Sequence, residues 1–243
     1  MPARLRIDRL LVDRGLFESR AKAQAAITAG RITVDDVAVA KPSDEVSVDA
    51  SIRAEPAHPW VSRGGVKLAA ALEHFGFDPS GRVCLDVGAS TGGFTQVLLA
   101  RGARRVYAVD VGRGQLHASL RGRPNVVSVE ATDIRSLDPA SVAEPPELVT
   151  IDVSFVSLRL VLPAALALTR GPARLLALIK PQFETGRRVA KKGIVRDPHV
   201  HTEVCDATAS FVTSLGWQVA GIAPSPIPGG DGNREFFIGA QRD

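Results

Sequence analysis

The 243-residue sequence predicts an α/β protein, a doubly wound sheet with helices on both faces, preceded by a small α+β unit. Two observations carry that reading. Beyond residue 62, seven apolar stretches at 82–87, 105–110, 126–130, 148–152, 174–180, 217–223 and 235–239 alternate with segments of mostly helical spacing, the rhythm of strand–helix–strand units. Ahead of them, an arginine-rich opening ends in the proline-containing stretch RAEPAHPW, so residues 53–62 read as a linker between a unit at 1–52 and one at 63–243. A hydrophobic content of 45% supplies a core for one medium and one small domain, and no repeat suggests another architecture.

The bulk properties narrow the setting. A net charge of +4, a pI of 9.4 and the crowding of arginines near the N-terminus point to a polyanionic partner. Cys84 and Cys205 lie in apolar stretches and make no disulfide framework, which suits a reducing compartment. The opening MPARLRIDRLLVDRG alternates charge with leucine and lacks the apolar core of a secretory signal. The most apolar segment, 158–168, contains Arg159 and Pro163 and falls short of the ~20 residues a spanning helix needs. We therefore expect a cytoplasmic protein without stable membrane association. His199 and His201 are two residues apart, the wrong spacing for one helical face, and no Cys/His cluster predicts a metal site.

In the opening unit, Ile7, Leu10 and Leu11 share a helical face, Gly15 stops that helix, Ser19 caps a second and Gly30 ends it. Segments 31–34 and 37–41 then flank Asp35-Asp36, a hairpin turn. The pattern R-x-D-x-x-L-x-x-x-G, S-R, I-x-x-G-x-(I/V)-x-V and K-P-S resembles the S4 RNA-binding domain. It departs at Asp35-Asp36, where that family usually places Asn-Gly or Asp-Gly. The resemblance makes Arg4, Arg9, Arg14, Arg20, Lys22, Arg31 and Lys41, with Arg63 beyond the linker, candidates for phosphate contacts. A solvated helical face is the alternative for any one of them.

The strand at 82–87 runs into Asp86-Val87-Gly88-Ala89-Ser90-Thr91-Gly92-Gly93-Phe94 and then into helical spacing. A nicotinamide fingerprint has the form G-x-G-x-x-G, whereas here the spacing is G-x-x-x-G-G, which disfavours an oxidoreductase. The arrangement resembles motif I of class I methyltransferases, which implies that Asp86, Gly88, Ala89, Ser90, Gly92, Gly93 and Phe94 hold S-adenosylmethionine. Asp110, followed by Val111, closes the next strand near the ~20-residue offset at which a carboxylate accepts ribose hydroxyls. Asp133-Ile134 stands where the family holds the adenine. Each Asp alone reads more often as a cap or turn residue.

Lys67 near the start of a helix, Asp152 and Lys180 at strand ends and Glu235 at the start of the last strand all fall at one edge of the expected sheet, where open α/β sheets bind ligands. They match, in order, the Lys-Asp-Lys-Glu tetrad of the FtsJ-like ribose 2′-O-methyltransferases. The words SRGGVKL, LDVGASTGGFT, DVGRGQL, DVSFVSL, KPQFE and GNREFF resemble the TlyA group, a family of ribosomal RNA cytidine 2′-O-methyltransferases that also carries the name haemolysin. The resemblance implies a class I Rossmann-like methyltransferase fold behind an S4 domain, S-adenosylmethionine as methyl donor, no metal, and ribosomal RNA or a ribosomal subunit as partner. It also implies an influence on susceptibility to capreomycin-type antibiotics. Lys180 would contact the target hydroxyl most directly, with Asp152, Lys67 and Glu235 setting its position and charge. Family members that modify both subunits tend to have extended termini, and this sequence stops at Asp243 soon after its last expected strand, so large-subunit RNA is the expected substrate and small-subunit RNA the second.

Other features carry two readings each. Arg187, Arg188, Lys191 and Lys192 form a glycine-bounded basic stretch, either an RNA-gripping loop or an ordinary surface loop. Phe155 and Phe183 read as stackers on an extruded base or as core. His58-Pro59-Trp60-Val61 replaces the family's Arg-x-Trp-Val, keeping the anchoring indole but not the guanidinium. The competing functions are a noncatalytic ribosome-binding factor and a membrane-active haemolysin.

Overall fold

The computed structural model describes residues 3–185 and 193–243, so Arg187, Arg188, Lys191 and Lys192 lie outside the described residues. The chain divides into two compact units, Met1–Pro59 and Trp60–Asp243.

The first unit runs β1 (Arg4–Arg6), α1 (Ile7–Asp13), α2 (Arg20–Thr28), β2 (Ile32–Val34), β3 (Val37–Ala38), β4 (Glu45–Ser47) and β5 (Ile52–Ala54). The sequence reading put helix first; instead Arg4–Arg6 pairs antiparallel with β4, and Leu5 sits opposite Val46 between two exposed arginines. Ile7, Leu11, Ala23, Ala26, Ile27 and Ile32 form the core, so one face of each helix meets the three-stranded sheet β3-β2-β5. Asp35 and Asp36 both take positive φ, 49° and 63°, as a two-residue hairpin turn requires. No glycine is needed, because the Asp35 carboxylate accepts from Ser51 N at 2.9 Å and its own N donates to Ser51 O at 2.8 Å. β5 reaches two residues into the stretch read as linker.

One buried charge organises this unit. Asp8 is fully buried and accepts from Arg20 at 2.7 Å, Gln24 at 2.7 Å and Arg6 at 3.1 Å, which hold its carboxyl far below the usual carboxylate range.

The second unit comprises α3 (Arg63–Phe75), β6 (Val83–Val87), α4 (Gly93–Ala100), β7 (Arg105–Val109), β8 (Val126–Val129), β9 (Leu148–Ile151), α5 (Leu158–Ala167), β10 (Ala173–Ile179), α6 (Pro181–Glu184), α7 (Pro198–Ser214), β11 (Gln218–Pro224) and β12 (Phe236–Arg242). Every expected strand is present, the last extending beyond its expected end to Arg242. They form one seven-stranded sheet in the order β11-β12-β10-β9-β6-β7-β8, parallel except for β12, which runs antiparallel to both neighbours.

Alternate residues of the central strands feed two cores, which is why the strands read as unbroken apolar runs. Leu85, Val87, Val149, Ile151, Leu175 and Ile179 pack with α5 and α7. Cys84, Val106, Leu176, Leu178 and Phe237 pack with α3 and α4 on the other face. Helices do not fill every interval: β7 to β8 and β8 to β9 are joined by loops and short 3₁₀ turns. Gly112, Gly114, Gly122 and Pro124 interrupt the first connection, and Pro139, Pro145 and Pro146 the second.

Candidate active site

A cavity of about 460 Å³ opens at the carboxyl ends of β6, β7 and β9, within the ~300–1,000 Å³ typical of small-molecule sites. This is the switch point of the sheet, where β6 continues to β7 on one side while β9 lies on the other. Gly88, Ser90, Asp110, Val111, Asp133, Ile134 and Asp152 all line it, beside Val109, Val153 and Val161.

The backbone here is cramped. Gly88 has φ 82°, and a Cβ on it would stand 2.3 Å from the Asp152 carbonyl oxygen, so only glycine lets β6 and β9 close at this point. Ser90 also takes positive φ, 48°, with its N–H donating to Asp110 Oδ2 at 2.7 Å, while Gly112 N donates to Oδ1 at 2.7 Å. Each Asp110 oxygen keeps a further lone pair for a ligand hydroxyl. Asp133 reaches the cavity paired with Arg135, whose backbone N and guanidinium hold its carboxyl below the ordinary range.

Five other residues of the expected cofactor loop stand away from the cavity. Asp86 is fully buried, accepting from Thr95 Oγ1 at 2.6 Å and Thr150 Oγ1 at 3.3 Å. Burial, only partly offset by the Thr95 hydrogen bond, pushes its carboxyl up to about 7. Gly92 and Gly93 are packing positions: a Cβ would meet Leu120 at 2.3 Å from the first and Ser62 Oγ at 2.2 Å from the second. Phe94 is buried and stacks on Phe237, their ring centroids 6.1 Å apart. Ala89 is buried in the loop between them and does not line the cavity. A motif fixes positions along the chain, while strand pleat and helix phase decide which of them face the ligand.

The four charged candidates form two ion pairs at the same edge of the sheet. Lys67, buried in α3, donates to Glu235 Oε2 at 2.5 Å. Lys180 Nζ lies 2.6 Å from Asp152 Oδ1, an ion contact without hydrogen-bond alignment, and donates to Ser154 Oγ at 2.9 Å. The strand register sets the two pairs beside each other: Ile179 faces Phe236 across the β10–β12 ladder, so Lys180 and Glu235 flank its end. Asp152 belongs to both constructions, to the pair through its carboxylate and to the cavity wall. Two buried cations thus face two carboxylates, and the cluster balances in charge.

Phe155, one residue beyond Ser154, is 91% exposed with φ 64°, and its ring lies 5.1 Å from Phe183. The core reading of Phe155 fails, since the ring stands almost wholly exposed with only Phe183 beside it among the described residues. Sequence reasoning missed Ser154, Arg135, Gln182 and Glu130. The Glu130 carboxylate accepts from Gly114, Gln115 and Leu116 N–H at 2.7, 2.9 and 3.1 Å, bracing the loop that carries Val111 and Gln115 to the cavity. Trp60 packs over Gly65 of α3, where a Cβ would stand 2.4 Å from the ring. Among the described residues no group of three or more His, Cys, Asp or Glu is arranged to hold a metal, and His201 is buried against Val195 O.

The cations of the first unit differ in what they already hold. Arg14 is committed to the backbone carbonyls of Ala50, at 2.8 Å, and Val48. Arg20 is tied to Asp8, Lys22 to Glu18, and Arg4 to the Glu45 carbonyl. Arg9 and Arg31 make exposed ion pairs at 3.4 and 3.6 Å, and Lys41 is exposed. In the second unit, Arg63 donates to the Pro228 carbonyl.

Comparison with known proteins accords with this geometry. Residues 60–242 match the FtsJ-like methyltransferase family and residues 5–52 the S4 domain. The chain is 44% identical, over 98% of its length and 90% of the relative's, to the 16S/23S rRNA (cytidine-2′-O)-methyltransferase TlyA of Mycobacterium tuberculosis. The chain belongs to the TlyA family. A second TlyA-family relative, Hemolysin A of Brachyspira hyodysenteriae, is 36% identical over 96% of this chain and 98% of its own. A solved structure from Streptococcus thermophilus, named as a hemolysin, superposes with a TM-score of 0.77 at 38% identity, covering 100% of this chain and 89% of that one. The TlyA-family chain thus joins an S4 domain to the sheet and helices of an S-adenosylmethionine-dependent methyltransferase.

Proposed function

We propose that this protein transfers a methyl group from S-adenosylmethionine to the ribose 2′-oxygen of a cytidine in ribosomal RNA, in the large subunit first and the small subunit second. The observation that carries this reading is the pair of neighbouring ion pairs, Lys67–Glu235 and Lys180–Asp152, at a cavity edge that Asp152 also lines. The relative from Mycobacterium tuberculosis, named for this reaction on both RNAs, supports the substrate class.

The cavity suits the cofactor. Asp110 offers acceptors to a ribose, Asp133 and Ile134 an edge and an apolar face to adenine, and the Gly88–Ser90 turn a close backbone floor. When bound, S-adenosylmethionine supplies an electrophilic methyl group on a positively charged sulfur. The chain's part is then to place one sugar oxygen and manage its proton. Lys180, aimed by Asp152 and Ser154, is the group that meets the 2′-hydroxyl, and the Lys67–Glu235 pair sets the charge around it. Phe155, exposed beside the cavity and backed by Phe183, offers a face on which an extruded base stacks. The S4 unit at 1–52, joined through 53–62 to the methyltransferase at 63–243, brings cations to the RNA backbone. No metal enters this scheme, and the setting is cytoplasmic.

The test is a map of 2′-O-methyl groups on both ribosomal RNAs with and without the protein, beside Lys180→Ala. The variant is expected to lose at least ~100-fold in rate while still binding S-adenosylmethionine by calorimetry. Full activity in Lys180→Ala would overturn the chemistry, and a methyl-free map with intact binding would overturn the substrate. Among the described residues no helix is long and apolar enough to cross a membrane, and a liposome-leakage assay on the same sample tests the lytic alternative directly.

A further inference from the structure

The word Lys-Pro-Gln-Phe-Glu at 180–184 spans one strand end and one turn of helix, yet its three polar side chains reach two separate loops. Lys180, the N-cap residue of α6, holds Asp152 and Ser154. Pro181 is buried at the first helical position, which fixes the direction in which the chain leaves β10. Gln182, buried, donates from Nε2 to Asp231 Oδ2 at 3.2 Å. That carboxylate requires a donor, so it fixes which end of the amide faces it.

Asp231 in turn accepts from Asn233 N at 3.0 Å and Nδ2 at 2.8 Å, within the turn that delivers Glu235. Gly229 is part of this turn: a Cβ there would lie 2.6 Å from Glu235 Oε1 and 2.8 Å from Asp231 Oδ1, so the two carboxylates share the space above one glycine. Glu184 accepts from Ser157 Oγ at 2.5 Å and from Leu158 N at 2.8 Å, at the start of α5. That closes the loop 152–157, which carries Asp152, Ser154 and Phe155. Phe183 meets Phe155 on the same side.

We propose that Gln182 and Glu184 are positioning residues for methyl transfer: through α6 they fix the Lys180 amine between the loop that bears Asp152 and Phe155 and the turn that bears Glu235. Neither touches the reacting atoms. Their effect is mechanical, because hydrogen bonds from alternate residues of one short helix lock two independent loops to one strand end. A displacement of about 1 Å in such an arrangement costs on the order of 100-fold in rate. The inference rests on the ribose methyltransferase reading above.

The test uses the full-length protein and three variants. Gln182→Met keeps length and apolar bulk but removes the donor; Glu184→Ala removes both acceptors; Glu184→Gln keeps one acceptor for Leu158 N. Each of the first two is expected to lower kcat by about 10- to 100-fold at unchanged S-adenosylmethionine affinity and unchanged KM for RNA. Glu184→Gln should recover much of that loss. With Glu235 already changed to Gln, Gln182→Met should cost much less, since the alignment it protects is gone. Undiminished loss in that background, or a fall only in the fraction of protein able to bind cofactor, would overturn the proposal.

A second readout does not depend on activity. The ¹⁵Nζ signals of Lys67 and Lys180 should move in Gln182→Met and Glu184→Ala; unchanged signals would overturn the positioning role even were the reaction different. If the signals move while the wild type methylates no RNA, the clasp stands and the assigned reaction falls.

Discussion

At the scale of single residues, the buried carboxyl groups of the two units act in opposite directions with pH. Asp86, enclosed at the end of β6, is pushed up to about 7 by burial, with the Asp152 charge adding to it. Its folded state therefore favours the proton more than the unfolded chain does, where the carboxyl ionises near the ordinary 3.8. Stability from this group is full below about pH 4 and is lost as pH rises toward 7. Asp86→Asn removes the titration while keeping an acceptor for Thr95, so it should gain roughly 2–4 kcal/mol relative to wild type at pH 8 and nothing at pH 4. Thermal melts across that range check this, and parallel wild-type and variant curves would refute it. Asp8, held far down by Arg6 and Arg20, contributes stability that is present above about pH 4 and is lost on acidification.

At the scale of elements, the loop between β7 and β8 has no helix to hold it and depends on Glu130. Three backbone N–H groups converge on that carboxylate, with Leu116 the strongest influence, and they hold it below its ordinary range. Glu130→Gln keeps the shape but loses the charge and one acceptor. We expect several-fold weaker S-adenosylmethionine binding by calorimetry, with kcat at saturating cofactor unchanged. An unaltered affinity would show that the loop needs no brace.

The central strands are legible because buried parallel strands need apolar residues on both faces, as in 174–180. The missed elements were those set by distant partners. Arg4–Arg6 is a strand only because Val46 lies opposite Leu5, and Glu130 reads as an ordinary surface acid until Gly114 folds back onto it. Lys67, Asp152, Lys180 and Glu235 could be picked out jointly, but their division into two pairs depends on the β10–β12 register, which periodicity does not specify. Asp86 was placed on the ligand for the same reason in reverse, since a motif does not say which way a side chain points.

At the scale of the molecule, affinity for RNA should come chiefly from cations, and the structure separates those free to meet phosphates from those already in use. Lys41 is exposed, and among the described residues Arg9 makes a surface pair with Asp13 at 3.4 Å, an interaction worth little in water. Arg14 spends its guanidinium on the Ala50 and Val48 carbonyls, closing the end of α1 onto the segment between β4 and β5. Each phosphate contact releases condensed counterions, so log K against log salt should lose about one unit of slope when a contacting cation is removed. Lys41→Ala and Arg9→Ala should each flatten that dependence without changing the melting temperature. Arg14→Ala should do the opposite, leaving the slope in place while loosening amide protection in α1. Equal loss of slope in Arg14→Ala and Lys41→Ala would mean that the carbonyl-bound guanidinium turns outward when RNA arrives, and that free and committed cations cannot be told apart by the contacts they make without it.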